Sequence, residues 1–303
     1  MEKILSLEPD IIIAPSGYGL PFKKFSELKE EDKFLLTLVR EGESIPVLDG
    51  MKKVFEALKG KIEMIFIPGV IHLPTIPEYR KYNKIDLGTA DKLAICFLAV
   101  EMHSRIENIS YENTNFSLIE MGYGFNAAFS IFKGKIVDGI GGTNFPGISF
   151  LNSGAMDGEL AYLLGNLKKE ILFKGGASYL AEGKPMNPED FKEEVYEKPF
   201  KAFLEGILKA AILTTKFSSS NVIYLSGRLT RYNNIFEPVK KMLLKEGFEV
   251  RKIPKLSEKS KEAAQGEAMI GLALLGEKYE KLLKHMEIDK ASGTILDFIW
   301  YKI

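Results

Sequence analysis

The chain is almost without cysteine: Cys96 is the only one in 303 residues. An internal disulfide and a cysteine-ligated metal cluster are therefore excluded, which suits a reducing compartment. Within the apolar run "LAICFLAV" that lone thiol reads as a buried core side chain rather than a nucleophile. Neither sign of charge is in excess, with 41 Lys plus Arg against 41 Asp plus Glu. This balance argues against a broad basic surface for nucleic acid and against an acidic tail for cationic partners. No apolar run approaches the ~20 residues that span a bilayer, and "MEKILSLEPD" lacks a basic region followed by an apolar stretch. The expectation is a cytoplasmic protein with no nucleic-acid and no membrane partner. No G-x-x-x-x-G-K-[ST] run occurs, so a P-loop is excluded as well. Tryptophan occurs once, and Trp300 in the tail "ILDFIWYKI" is expected to anchor the C-terminus in a core or a dimer seam, which leaves a homodimer open.

What is present is enough for ordinary cores. With 46% hydrophobic and 27% charged residues the chain reads as globular, and its length fits about two domains. "PDIIIAPSG" and "IEMIFIPG" are β-branched runs ended by Gly or Pro, and "GMKKVFEALKG" between them has helical spacing. "TADKLAICFLAVEMHSR" reads as a long helix with Thr89 at its N-cap and Asp91 in its first turn. "SLIEMGYGFNAAFSIFKGKIVDGIGG" then breaks the pattern with antiparallel strands turning at "GYG" and "KGK". Helices alternate with the strands "NVIYLSG" and "FEVRKIP" beyond it, and "KSKEAAQGEAMIGLALLGEKYEKLLKHM" closes as one long helix or two. The alternation implies an α/β protein. "LAEGKPMNPEDFKEEVYEK" is the most loop-like segment, and "KEEDK", "EDFKEE" and "KLSEKSKE" read as solvated faces.

The glycines of "GYGFNA" admit two readings. The match to G-x-G-x-x-A lacks the helix that a dinucleotide fingerprint requires, because "FNAAFSIFKG" alternates like a strand. The glycines either serve hairpin geometry alone or let successive backbone N–H groups converge on a phosphate, with Glu120 beside it to hold a metal-bound water. "RKYNKIDLGTADK" sets Arg80, Lys81, Lys84 and Lys92 around a helix start, a good place for a carboxylate or a transferring phosphoryl group. The alternative is that Asp91 complements the helix dipole and the cations are solvated. His72 reads as structural, and His103 as a partner of a helix C-terminal dipole.

Five stretches between residues 70 and 285 carry a resemblance by their order. "EMGYGFNAAFSIFKGKIVD" resembles the second phosphate loop of the acetate and sugar kinase, chaperone and actin superfamily, with Glu120 in place of the histidine. "GGTNFPGISFLNSG" resembles the segment of butyrate kinases that ends in R-S-G, with Asn152 for the arginine, and "NVIYLSGRL" resembles the adenosine motif, with Ser226 for its first glycine. "AAQGEAMIGLALLGEK" resembles the closing helix beneath the nucleotide, and "LPTIPEYRKYNKIDLGTADKLA" the acyl-site stretch. The sequence resembles an archaeal family of predicted butyrate kinases.

That resemblance implies two ribonuclease H-like domains with an interdomain nucleotide cleft, divided at 1–111 and 112–303, with the acceptor segment at 72–92. It implies ATP and Mg2+ as cofactors and a small-molecule acid as substrate, phosphorylated to an acyl phosphate. Arg80 and Lys92 would neutralise the acceptor and the transferring group, and Asp86 or Asp91 would orient the acceptor or the metal. Gly122, Tyr123 and Gly124 would cradle phosphates, Glu120 would reach the metal through water, and Ser226, Gly227 and Arg228 would flank the adenosine. The superfamily's first loop, D-x-G-T, is absent: the chain begins at what would be the fourth strand, as though the first hairpin were missing, which predicts impaired transfer. The alternatives are a nucleotide-binding regulatory protein of the same fold without turnover, or a kinase of another small molecule such as pantothenate, whose G-x-D-R motif "GTADK" faintly echoes.

Overall fold

The computed structural model describes residues 2–43 and 46–301. In chain order the first elements are α1 (Glu2–Leu5), β1 (Ile12–Ile13), β2 (Lys23–Lys24), α2 (Glu30–Thr37), α3 (Pro46–Leu58), β3 (Met64–Phe66), α4 (Glu78–Lys81) and α5 (Ala90–Glu107). They are followed by β4 (Phe116–Met121), β5 (Asn126–Phe132), β6 (Lys135–Ile140), α6 (Gly158–Leu164), α7 (Ala177–Glu182) and α8 (Glu197–Ser218). The last are β7 (Val222–Ser226), α9 (Asn233–Lys245), β8 (Glu249–Lys252), α10 (Glu262–Leu274) and α11 (Glu280–His285). A three-stranded sheet has the order β1-β3-β2, with β1 parallel and β2 antiparallel to β3. A five-stranded sheet has the order β6-β5-β4-β7-β8: the hairpins β4–β5 and β5–β6 are antiparallel, and β7 and β8 run parallel to β4.

The strands of the larger sheet are apolar on both faces because both are covered. In β4, Phe116 and Leu118 join a core shared with α5 and α10, whereas Ile119 and Met121 join the core under α8 and α9. β7 alternates likewise, with Tyr224 on the α5 side and Ile223 and Leu225 on the other. By the same period of two, Glu120 and Ser226 share the α5 face. The α5-side core runs without a break from Phe66 of the small sheet, through α5, to Phe129 of the large one.

α5 is a central helix and is buried nearly all round, Cys96 included. Its closest neighbour is α10, and they touch backbone to backbone: a Cβ on Gly266 would stand 1.9 Å from the Ala94 carbonyl oxygen. That contact accounts for the glycine in "AAQGEA".

Several details differ from the sequence reading. The first strand shrinks to two residues, and the closing segment is two helices broken between Leu274 and Glu280. His103 serves no helix end. It lies inside α5, 3.0 Å from the Tyr224 hydroxyl, where burial lowers its pKa and keeps the ring neutral. Two acids of the "solvated" runs are buried: Asp32 takes both oxygens to Lys23 and caps the Lys29 N–H, and Glu262 lies near Lys255 and Arg231. Trp300 is 81% exposed, so it anchors no core. His72 is structural as expected, its Nδ1 accepting from the Gly69 N–H.

Gly266→Ala should destabilise the fold by about 1–3 kcal/mol or more, because a helix backbone cannot yield as a side chain does. Gly158→Ala, where a Cβ meets nothing within 4 Å, should be close to neutral. Urea denaturation midpoints of the two variants check this, and equal midpoints would contradict the close α5–α10 approach.

Candidate functional site

Two parallel strands and a helix end build the site. β4 and β7 run side by side with Glu120 in register with Ser226, so both strands deliver their C-terminal ends to one edge of the sheet. Ligands of open α/β sheets bind outside such ends. Gly227 turns the chain there at φ +94°, and a Cβ on it would press on the Met121 carbonyl oxygen at 2.5 Å and Glu120 Oε1 at 2.8 Å. Thr230 fastens that turn, its hydroxyl donating to the Gly227 carbonyl at 2.8 Å.

The first turn of α5 lies against the same edge. Lys92 Nζ donates to Asp91 Oδ2 at 2.7 Å and pairs with Glu120 Oε2 at 3.2 Å. Thr89 occupies the N-cap position, yet its hydroxyl donates to Asp91 Oδ1 instead of accepting a helix N–H. Burial alone would lower the Lys92 pKa, but the two carboxylates outweigh it and hold the ammonium charged. Burial raises the Glu120 carboxyl, with Lys92 opposing and Asp91 reinforcing. Asp91 keeps 42% of its side-chain surface, so water screens its pair with Lys92. Burial would raise its pKa as well, but Lys92 and Thr89 bring it below the usual carboxylate value.

The β4–β5 turn closes the arrangement. Gly122 donates to the Phe125 carbonyl and its Cβ position is filled by that same oxygen at 2.3 Å, so this glycine serves the hairpin. Gly124 is different: a Cβ there meets nothing within 4 Å. Tyr123 packs on Phe150, its hydroxyl donates to the Met186 carbonyl, and Arg228 lies over its ring at 4.8 Å. Ser226 Oγ is buried without a hydrogen-bond partner.

The predicted residues therefore divide. Lys92, Asp91, Glu120, Gly122, Tyr123, Gly124, Ser226, Gly227 and Arg228 come together. Asp86 borders them but is spent on structure: Oδ1 accepts from the Gly88 N–H, and Oδ2 from the Thr143 N–H and hydroxyl. Arg80 is directed elsewhere. Its guanidinium donates to the Val137 carbonyl at 2.5 Å and stacks over Phe217 at 4.2 Å, with Asp138 at 3.9 Å.

Two groups escaped the sequence reading. Glu267 lies in the "AAQGEAM" helix, one residue after the packing glycine, and feels the charges of Asp91 and Lys92. It borders an apolar cavity of about 700 Å³ between β1, α3 and α10, and that burial pushes its pKa up to about 7. Lys169 lies in a segment without a motif, so nothing in the sequence pointed to it. Among the described residues no three His, Cys, Asp or Glu side chains converge as a metal cage.

The architecture is that of the acetate kinases. The chain superposes on the Porphyromonas gingivalis acetate kinase with a TM-score of 0.60 at 12% identity, covering 88% of this chain and 77% of that one. For the Entamoeba histolytica acetate kinase the TM-score is 0.57 at 11% identity, over 81% and 71% of the two chains. At such identities the likeness defines the fold: two sheets of the actin-like, ribonuclease H-like type. The family model described as "Protein of unknown function (DUF1464)" matches residues 1–301, and the chain belongs to that family. No curated protein matches the sequence.

Because Glu267 holds its proton more tightly folded than unfolded, its contribution to stability is full below its unfolded value near 4.5. It is lost as pH rises to about 7. Glu267→Gln should remove that loss, so its stability gain over the parent grows across this window by on the order of 1 kcal/mol. Denaturation at pH 5 and pH 8 measures it, and a gain independent of pH would refute the raised pKa.

Proposed function

We propose that the chain is a phosphotransferase that binds an adenine nucleotide at the C-terminal ends of β4 and β7 and phosphorylates a small acid, in the manner of a butyrate kinase. The observation that carries this reading is convergence. A buried ammonium, a turn opening at Gly124 and the Tyr123–Arg228 stack come from three separate parts of the chain to one edge. The acetate kinase likeness supports it, as does the resemblance to predicted butyrate kinases. We place the nucleotide between units 1–111 and 112–303, in a cytoplasmic enzyme.

The residues fit a polyphosphate. The open Gly124 position leaves its backbone approachable, Ser226 has an unspent hydroxyl, and Lys92 carries a charge. They fit a protein-held metal less well, since Lys92 already lies between Asp91 and Glu120. No step is therefore assigned to Glu120 with magnesium. A bound ATP would supply the phosphoryl group. Lys92 would then neutralise charge as the acceptor carboxylate oxygen bonds to phosphorus and the bond to the leaving ADP breaks. Asp91 orients Lys92, and Arg228 with Tyr123 offers a flat cationic face to the base or ribose. A carboxylate acceptor is already an anion, so no strong general base is required. Glu120, neutralised by Lys92, favours a second reading in which nucleotide binds without turnover.

Gly124→Val should fold with an unchanged melting temperature and lose stabilisation by ADP, which at a hundredfold excess over Kd is worth about 2.7 kcal/mol in the parent. Thermal melts with and without ADP decide it. A Gly124→Val chain that binds ADP like the parent would move the site elsewhere. Hydroxylamine trapping of an acyl phosphate separates the transferase from the silent binder.

A further inference from the structure

We infer that Lys169 is the acceptor-binding cation of the cleft, holding the anionic head of the small acid on the wall opposite Lys92. This rests on the nucleotide reading above. A chain of contacts links the surroundings of the two lysines. Lys169 Nζ donates to the Tyr18 hydroxyl at 3.2 Å and lies 5.1 Å over its ring. Next to Tyr18, the Gly17 carbonyl accepts from the Ala90 N–H, two residues before Lys92. On the other side, Lys169 opens a short 3-10 turn that ends at Phe173, whose ring meets Phe125 of the β4–β5 turn at 5.3 Å. Phe125 packs against Gly142, beside the loop that Asp86 pins. The charge of Asp86 reaches both lysines.

The ammonium is held in place yet underused. An ammonium has three donors, and Lys169 spends one, on a neutral phenol. Among the described residues no carboxylate lies within ion-pair distance of it, and burial lowers its pKa, with the charges of Asp86 and Glu43 opposing that. The acid whose charge acts more strongly on it, Asp86, has both oxygens engaged by Gly88 and Thr143. A half-buried cation lacking a counter-ion favours an anion that brings one. The Tyr18 ring lies against it, and the Phe125–Phe173 pair stands at the far end of its 3-10 turn; these rings suit an acid with a short apolar body.

Its backbone is clasped from the other unit. Glu43 Oε2 accepts from the Lys169 N–H at 3.0 Å, Arg40 donates to the Leu167 carbonyl, and Arg40 pairs with Glu43 at 2.8 Å. Lys169 is thus carried by the segment that bridges the two walls.

Thermal melts in saturating Mg·ADP test this, with butyrate as one probe and inorganic phosphate as a second. In the parent, butyrate should add a further shift and phosphate a smaller one. Lys169→Met should weaken the butyrate affinity ~tenfold, the loss of about one charge-assisted hydrogen bond, and leave the ADP shift unchanged. Lys169→Arg, which keeps the charge, should retain most of the butyrate shift and controls for a folding defect. An ADP shift with no anion shift, or an anion shift that Lys169→Met leaves intact, overturns the Lys169 assignment and spares the nucleotide site. An anion shift that depends on Lys169 with no ADP shift does the reverse. A phosphate shift larger than the butyrate shift overturns the carboxylate preference.

Discussion

One buried ammonium joins the two halves of the site. Lys92 stands in the first turn of α5 and reaches across to Glu120 at the end of β4, so the start of a helix and the end of a strand are held by a single charge. The pair does little for stability on its own account: bringing both ions out of water costs about as much as their attraction returns. What it supplies is position. Removing Lys92 would leave the buried Glu120 carboxylate without its counter-ion, so the helix N-terminus keeps its place over the strand ends. The Gly266–Ala94 contact fixes α5 from behind, and Glu267, one residue further along α10, is thereby brought into the field of Asp91 and Lys92.

Much of this was legible in the sequence because it depends on local rules. Period-two alternation, glycine at "GYG" and "KGK", and the apolar length of α5 each announce their element without help from the rest of the chain. The register of Glu120 against Ser226 was not legible, since it arises from a parallel pairing between strands about a hundred residues apart. The tertiary partners of Asp86 and Arg80 were not legible for a related reason. A charged residue near a helix start looks alike whether it faces a ligand or a loop, and here Thr143 and Val137, distant in sequence, claim those side chains. His103 was misassigned because its real partner, Tyr224, arrives from the far strand. Lys169 left no trace: a lysine in a segment without periodicity is indistinguishable from a solvated one until tertiary contacts enclose it.

Two apolar cavities lie away from the polar edge. One of about 320 Å³ is lined by Phe25, Phe55 and Phe66 in the small-sheet unit, and the 700 Å³ cavity runs behind α10. Neither contains Lys92, Gly124 or Arg228, and neither offers an anion more than rim charges. A phosphorylated ligand needs backbone N–H groups and cations more than apolar enclosure. The second cavity still bears on the site, because it desolvates Glu267 and so keeps a titratable carboxyl near neutrality behind Lys92.

Charge balance then ties the two walls together. On the Lys92 side, Asp91, Glu120 and Glu267 outnumber the one ammonium, so an incoming polyphosphate meets a locally acidic surface whose repulsion must be offset. Glu267 relieves part of it by holding its proton up to about pH 7. On the opposite wall, Lys169 faces the reverse problem, a cation without a counter-ion. An anion bound at Lys169 would supply the counter-ion that this side lacks. The two imbalances are opposite in sign: an anion corrects the Lys169 side, whereas on the Lys92 side a proton on Glu267 or an added cation is what offsets the excess of carboxylates.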